Sequence, residues 1–404
     1  MTETSAPPID GLCDPAFAGV EAAFRENFTA RDEVGAALCV RVDGRVVVDL
    51  WGGYHDRARS RRWERDTLVN AYSVGKGLTA MLVLLLVERG ELDLDAPLSI
   101  DWPAFATEGK AGISLRTALA HQAGLPGVRR PLAPDAMLEW DTMCGALAAQ
   151  APYWEPGTAH GYHVNTFGFL VGEPVCRLLG VDFATAFRAR LAAPHEADFH
   201  IGLPTSEHAR VAPIVEIRSA PAEPTESQDP LDLARTHFGT GDAEMDEMLA
   251  RVYFNPSGLS GRGMVNTGGW RRASIPSTNG HGTARGVAAL YDAFLRLDPA
   301  RGGLVGPGLR AEATSIFSDG PDRVLGKPSR FGLGLQLSQP TRRIGGGESG
   351  YGHFGYGGTL GFADPEPRVA FGYLMNRPGQ RWQTPRTNAL VEAVYTALGS
   401  AALE

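Results

Sequence analysis

The sequence predicts an α+β protein in which one antiparallel sheet, built from both ends of the chain and flanked by helices, carries an inserted, mainly helical domain. Three observations point there. Two strand-like segments joined by a tight turn lie early in the chain, a long apolar run with helical spacing follows, and strand patterns return only from residue 331 onward. On this reading residues 1–70 and 283–404 form the sheet domain and residues 71–282 the helical domain, with a cleft between them.

The elements follow in order. Ala36–Val42 and Val46–Leu50 read as strands closed by a turn at Asp43-Gly44. After an arginine-rich stretch, a helix opens at Ser73 and runs to about Arg89, with Gly90 in the position that ends helices. Leu78, Met81, Leu82, Leu85 and Leu86 repeat at helical spacing, which predicts a buried central helix. A short helix is expected from Leu115 to about His121, and an amphipathic one over Asn165–Leu179. Ser219 to Glu247, rich in Pro, Asp and Glu, reads as a mobile surface insertion. Ala284–Leu297 is a further helix, followed by strands at Gly332–Leu337, Gly358–Ala363 and Val369–Met375. A last helix is expected near Arg386–Leu398, with Thr384 as its N-cap and Pro385 in its first turn. No internal repeat is apparent.

Composition excludes several functions. A net charge of −8 without a basic run argues against a nucleic-acid partner. The longest apolar run, Ala80 to Val87, is far too short to span a bilayer, and the first 35 residues lack the pattern of a secretory signal. Cys13, Cys39, Cys144 and Cys176 are far apart and read as buried free thiols rather than a disulfide framework or a zinc site. A soluble cytoplasmic protein is the expectation, with no membrane or nucleic-acid partner; a homo-oligomer is left open.

The most informative residues are Ser73 and Lys76. Three apart at the start of a helix, a hydroxyl and an amine share one face of the first turn, where the amine can take the hydroxyl's proton. The only lysines among 404 residues are Lys76, Lys110 and Lys327; arginine carries nearly all the positive charge. Arginine stays protonated, whereas a desolvated lysine can act as a base. The chain contains one Ser-x-x-Lys, and this is it.

Around that pair the chain resembles the serine β-lactamase and penicillin-binding-protein superfamily, and within it the family VIII carboxylesterases. The matching segments run in order from about Val34 to Leu398: the leading hairpin, Tyr72-Ser73-Val74-Gly75-Lys76 and Glu88-Arg89-Gly90-Glu91-Leu92-Asp93-Leu94-Asp95. Then come Ala118-Leu119-Ala120-His121-Gln122-Ala123-Gly124-Leu125, Glu155-Pro156-Gly157-Thr158 with Tyr162, and Gly352-His353-Phe354-Gly355. The resemblance implies a β-lactamase/transpeptidase-like fold, with Ser73 as nucleophile, Lys76 as general base and Tyr162 sharing the proton transfers. It implies an oxyanion hole from the backbone N–H groups of Ser73 and Tyr356, and a substrate-binding wall at His353, Phe354 and Gly355, where β-lactamases carry Lys-Thr-Gly. Burial and a helix N-terminus would both lower the Lys76 pKa.

Two departures from the family pattern bear on substrate. Val164 stands two residues after the tyrosine, where class C β-lactamases have asparagine, and Asn165 follows it. Replacing Lys-Thr-Gly by His353-Phe354-Gly355 removes the cation and hydroxyl that would hold a β-lactam carboxylate, and Phe354, with Tyr351 and Tyr356, is expected to make that wall apolar. Both changes favour a neutral ester.

Other patterns carry less. Gly345-Gly346-Gly347-Glu348-Ser349-Gly350 contains G-x-G-x-x-G but leads toward a strand, so it reads as a flexible loop beside the cleft. No G-x-S-x-G elbow occurs. His160 and His163 lack a nearby carboxylate that would complete a metal site, and His121 reads as a helix-end histidine. Asn279-Gly280-His281-Gly282 reads as a plain turn, and Trp154 and Trp270 suit either the pocket or the core. The expectation is a serine hydrolase that cleaves short-chain carboxylic esters through an acyl-Ser73 intermediate, without cofactor or metal. The alternatives are a β-lactamase, a D-amino-acid peptidase or amidase, or an acyltransferase on the same machinery.

Overall fold

The computed structural model describes residues 7–215, 229–256, 264–298, 302–380 and 382–399. The chain opens with β1 (Ile9–Cys13), α1 (Ala18–Ala30), β2 (Gly35–Val42), β3 (Arg45–Gly53) and β4 (Val69–Asn70). The helical middle comprises α2 (Val74–Glu88), α3 (Leu115–Leu119), α4 (Trp140–Ala148), α5 (Phe167–Leu179), α6 (Phe183–Phe187), β5 (Phe199–His200), α7 (Pro230–His237), α8 (Ala243–Tyr253) and α9 (Gly268–Arg272). It is followed by β6 (His281–Gly282), α10 (Ala284–Leu295), α11 (Pro307–Ala313), β7 (Ser318–Pro321), β8 (Pro328–Phe331) and β9 (Gln336–Leu337). The chain continues through β10 (Tyr351–Phe354), β11 (Leu360–Asp364), β12 (Val369–Met375) and α12 (Pro385–Ala397).

Nine strands form one antiparallel sheet in the order β1-β3-β2-β12-β11-β10-β9-β8-β7, so residues from both ends of the chain meet where β2 pairs with β12. The β2–β3 hairpin closes as expected: Asp43 and Gly44 take φ of 51° and 78°, which matches the twist of paired strands. One face of the sheet carries large side chains, Leu38, Val40, Phe362, Phe371 and Tyr373, against α1 and α12. The other carries small ones because α10 lies close: a Cβ at Gly372 would sit 2.3 Å from the Ala284 carbonyl oxygen. Buried Arg386 at the start of α12 donates to Glu33 at 2.6 Å, and Tyr373 donates to the same carboxylate. That pair fastens the last helix to the beginning of the sheet.

The central helix α2 is buried on every side from Val74 to Leu86, as its apolar run requires, and Gly90 follows it with φ 67°. Thr384 caps α12, its side chain accepting from Thr387 N.

Three expectations need correction, and one helix is an addition to them. Gly332–Leu337 is not one strand: Gly332 N donates to Leu335 O at 2.9 Å and Gly334 takes φ 72°, so a tight turn separates β8 from β9. The segment read as a surface insertion holds two capped helices, α7 and α8, whose Asp229 and Asp242 side chains accept from first-turn N–H groups; its residues 219–228 lie outside the described residues. The glycines at 345 and 346 are not a flexible stretch beside the cleft. They lie against Tyr395 of α12, where a Cβ at Gly346 would come within 2.4 Å of the ring, and Ser349 is tied to Asp364. Finally, α1, unmarked in the sequence reading, buries Val20 and Phe24 at helical spacing.

Candidate active site

Ser73 stands at the N-terminus of α2, and the chain reaches it through the short strand β4. There Asn70 pairs with His281 of β6, and Ala71 N donates to Gly280 O at 2.7 Å. Buried Trp270 donates to the Asn70 side chain at 3.1 Å, and Asn70 donates to Thr278 O at 3.2 Å. Tyr72, next in line, is held at φ 50°, a left-handed conformation costly for a tyrosine and maintained only because both flanks are fixed. Ser73 is partly exposed while its neighbours are buried, so its hydroxyl is the group this helix end offers to solvent.

Lys76 is fully buried one turn along. Its Nζ lies 3.2 Å from Ser73 Oγ, 2.6 Å from Val164 O and 2.9 Å from Ser277 O. No carboxylate forms an ion pair with it among the described residues. Burial therefore drives its pKa well below the usual lysine range, toward the neutral amine. A neutral amine has two N–H groups and one lone pair. With both N–H groups directed to the two carbonyls, the lone pair is left for the Ser73 hydroxyl. The Ser277 carbonyl is itself placed by a loop that Asn279 braces, accepting from Ile275 N at 2.9 Å and donating to Trp270 O at 2.7 Å. Gly75 is needed for the close approach, since a Cβ there would lie 2.8 Å from Pro276 O.

Tyr162 lies across Lys76, with Nζ 4.7 Å from its ring centroid. The ring stacks parallel on Phe331 and is flanked by His121, His353 and Trp382. Among the described residues its buried hydroxyl completes no hydrogen bond of ordinary geometry, although Ser73 is near enough to favour its ionised form. Burial outweighs that and raises the phenol above its usual value, so the group stays protonated.

The opposite wall is the end of β10. His353 is fully buried beside Tyr162, and its Nδ1 meets Phe354 O at 2.7 Å, which makes Nδ1 the protonated nitrogen and Nε2 an acceptor without a partner among the described residues. Burial, with Lys76 adding in the same direction, pushes it down to about 3, so it is neutral and offers no cation. Gly355 is packed so tightly that a Cβ would fall 2.0 Å from Thr359 Oγ1 and 2.6 Å from Ala71 O. Thr359 donates to Ala71 O at 3.1 Å, and Tyr356 meets Tyr72 edge-on at 5.3 Å, so this turn is pinned beside the nucleophile. Neither the Ser73 nor the Tyr356 N–H donates to another group among the described residues.

Ser73, Lys76, Tyr162, His353, Gly355 and Tyr356 thus come together. Phe354 does not: strand alternation turns it to the other face, into the core under α12, and Tyr351 packs on Phe294 in the interior rather than toward the cleft. Trp270 belongs to the core and Asn279 is more than a turn residue. The carbonyls of Val164 and Ser277 had no signature in the sequence, because any residue supplies a carbonyl. Asp322, which accepts from Tyr162 N at 3.0 Å, lies 160 residues away and was equally unmarked. Among the described residues, no three His, Cys, Asp or Glu side chains gather as a metal site would need.

This fold and these groups define a serine hydrolase of β-lactamase-like architecture. A family model described as Beta-lactamase matches residues 20–395, and the chain belongs to that family. It is 35% identical to Esterase/beta-lactamase LipL of Mycobacterium tuberculosis over 379 residues, covering 91% of this chain and 83% of that protein. Among solved structures, a family VIII carboxylesterase superposes with a TM-score of 0.85 at 34% identity, over 96% of this chain and 100% of the other. A penicillin-binding-protein homolog from Caulobacter crescentus gives a TM-score of 0.85 at 35% identity, with the same coverage. Among the described residues no helix is long and apolar enough to cross a membrane.

Proposed function

We propose that this enzyme hydrolyses short-chain carboxylic esters through an acyl-enzyme on Ser73. The observation that carries the reading is the environment of Lys76, a buried amine 3.2 Å from Ser73 Oγ with two carbonyls to hold its N–H groups. In the first step Ser73 Oγ attacks the ester carbonyl carbon while its proton passes to the Lys76 lone pair. The negative charge then on the carbonyl oxygen is met by the Ser73 and Tyr356 N–H groups. Collapse breaks the bond to the alcohol oxygen, which takes a proton from Tyr162, and the Lys76 ammonium restores it. Water then attacks the acyl carbon, giving a proton to Tyr162 as Tyr162 passes its own to the Lys76 lone pair; on collapse the Lys76 ammonium returns a proton to Ser73 Oγ, and the acid leaves with Ser73 free.

A neutral His353 and an inward Phe354 leave no cation at the position where β-lactamases hold a carboxylate, which supports a neutral ester over an anionic antibiotic. The family VIII carboxylesterase neighbour supports the same choice. The test is the initial rate on p-nitrophenyl butyrate for the parent and Ser73→Ala. Turnover by the parent and its loss in the variant is the expected result. A silent parent that opens nitrocefin or D-amino-acid amides would instead select the lactam or amide reading, and ester exchange with added alcohol would select acyl transfer.

A further inference from the structure

We propose that Asp322 is a positioning residue for Tyr162: its carboxylate fixes the tyrosine that protonates the departing alkoxide. The inference rests on the ester-hydrolysis reading above and assigns a role to a residue outside the family's motifs.

Asp322 is 4% exposed and begins the turn between β7 and β8. Its Oδ1 accepts from Val324 N and Leu325 N, both at 2.9 Å, and from Tyr162 N at 3.0 Å. Its Oδ2 accepts from Ser329 Oγ at 2.6 Å. All four neighbours donate, the set a carboxylate satisfies. Ser329 has one proton and gives it to Asp322, so the His160 Nε2 that lies 3.0 Å from Ser329 Oγ must be its donor. The three residues therefore run His160 to Ser329 to Asp322. The serine proton points to the acid and not to the imidazole, so this is no second nucleophile.

The two turn bonds are what an aspartate in any such turn makes, and they account for Val324 and Leu325 alone. The bond to Tyr162 crosses to another element and joins further holds on the same segment. Arg323 N donates to His160 O at 3.1 Å, Phe331 of β8 stacks on the Tyr162 ring within 5° of parallel, and Gly161 has no room for a Cβ, which would lie 2.8 Å from Trp154. The hairpin thus grips Tyr162 by backbone and by ring, and Asp322 is where its own turn and the tyrosine share one oxygen. A buried carboxylate is costly unless such donors surround it. Its charge also opposes ionisation of Tyr162, adding to burial in keeping the phenol protonated.

The test uses the leaving group. p-Nitrophenolate departs without a proton, whereas ethoxide needs one. For Asp322→Ala, kcat/KM on p-nitrophenyl butyrate should stay within about threefold of the parent, and on ethyl butyrate fall about a hundredfold, the scale of lost general-acid help. Asp322→Asn, which keeps one acceptor oxygen, should fall between. In a Tyr162→Phe background Asp322→Ala should add nothing. Equal losses on both esters, or losses that multiply with those of Tyr162→Phe, would overturn the proposal and leave Asp322 a structural residue. Should Asp322→Ala fail to fold by circular dichroism, Asp322→Asn and Ser329→Ala carry the same comparison. A Tyr162→Phe variant that treats both esters alike would instead refute the acid role of Tyr162, and the parent reading with it.

Discussion

At the scale of single residues, the chemistry turns on which groups are uncharged. Burial among carbonyls lowers the Lys76 pKa toward the neutral amine, and its variants should show this. Lys76→Ala should lower kcat/KM on both p-nitrophenyl butyrate and ethyl butyrate by about a hundredfold or more, and Tyr162→Phe should do so on ethyl butyrate, while Ser73→Ala should abolish turnover and keep the circular-dichroism spectrum of the parent. Lys76→Ala also strands the Val164 and Ser277 carbonyls, at about 1–3 kcal/mol for each unsatisfied group, so it should melt earlier than Ser73→Ala. The pH profile carries the sign. A lowered Lys76 pKa means the base keeps its lone pair at neutral pH and loses it as the pH falls through that value, so kcat/KM should have an acid limb and be flat above it. A rate that climbed steadily toward about pH 10, the ordinary lysine value, would show instead that Lys76 is charged at rest.

At the scale of elements, the fastening of α12 is open to test. Arg386→Ala removes the ion-pair partner of fully buried Glu33, and breaking such a pair typically costs about 3–5 kcal/mol. A large fall in thermal midpoint with little change in KM is expected, measured by calorimetry and steady-state kinetics. Elements whose signal was local were readable from the chain: the Asp43-Gly44 hairpin, the apolar run of α2 and the Thr384-Pro385 start of α12 all carry their own instructions. The helix α1 was not, because Val20 and Phe24 stand among alanines and charged residues and gain meaning only against α12. The caps of α7 and α8 were present as aspartates but were masked by a composition that resembles disorder. In the site, Ser73 and Lys76 could be read because one helical turn sets their spacing. The loop that offers Ser277 O, the turn that offers Asp322 and the inward face of Phe354 depend on contacts between residues far apart in sequence, which no local pattern encodes.

At the scale of the whole molecule, buried histidines tie stability to pH. His163 is pushed down to about 4, and His281 and His353 to about 3, from a starting value of 6.5, in each case mainly by burial. The unfolded chain binds protons below about pH 6.5 that the folded one refuses. Stability is therefore complete above that value and declines as the pH drops toward the folded values, by up to about 1.4 kcal/mol per pH unit for each histidine. Thermal midpoints should hold from pH 7.5 to about 6.5 and fall from there to pH 4.5, and a series flat throughout would show that these rings are accessible or paired. The scarcity of lysine has a practical consequence for anyone handling the enzyme. Lys76 is sealed in the site, and Lys110 is fully buried with its amine donating to Thr107 O and Gln150 O. The third, Lys327, is exposed on the hairpin that grips Tyr162, with its amine 5.0 Å from the Trp382 ring. Amine-directed dyes, cross-linkers and aldehyde supports therefore meet one exposed lysine side chain, besides a chain-terminal amine. Coupling through Lys327 would fall on the hairpin that grips Tyr162, and a cysteine or tag placed elsewhere would leave that hairpin unmodified.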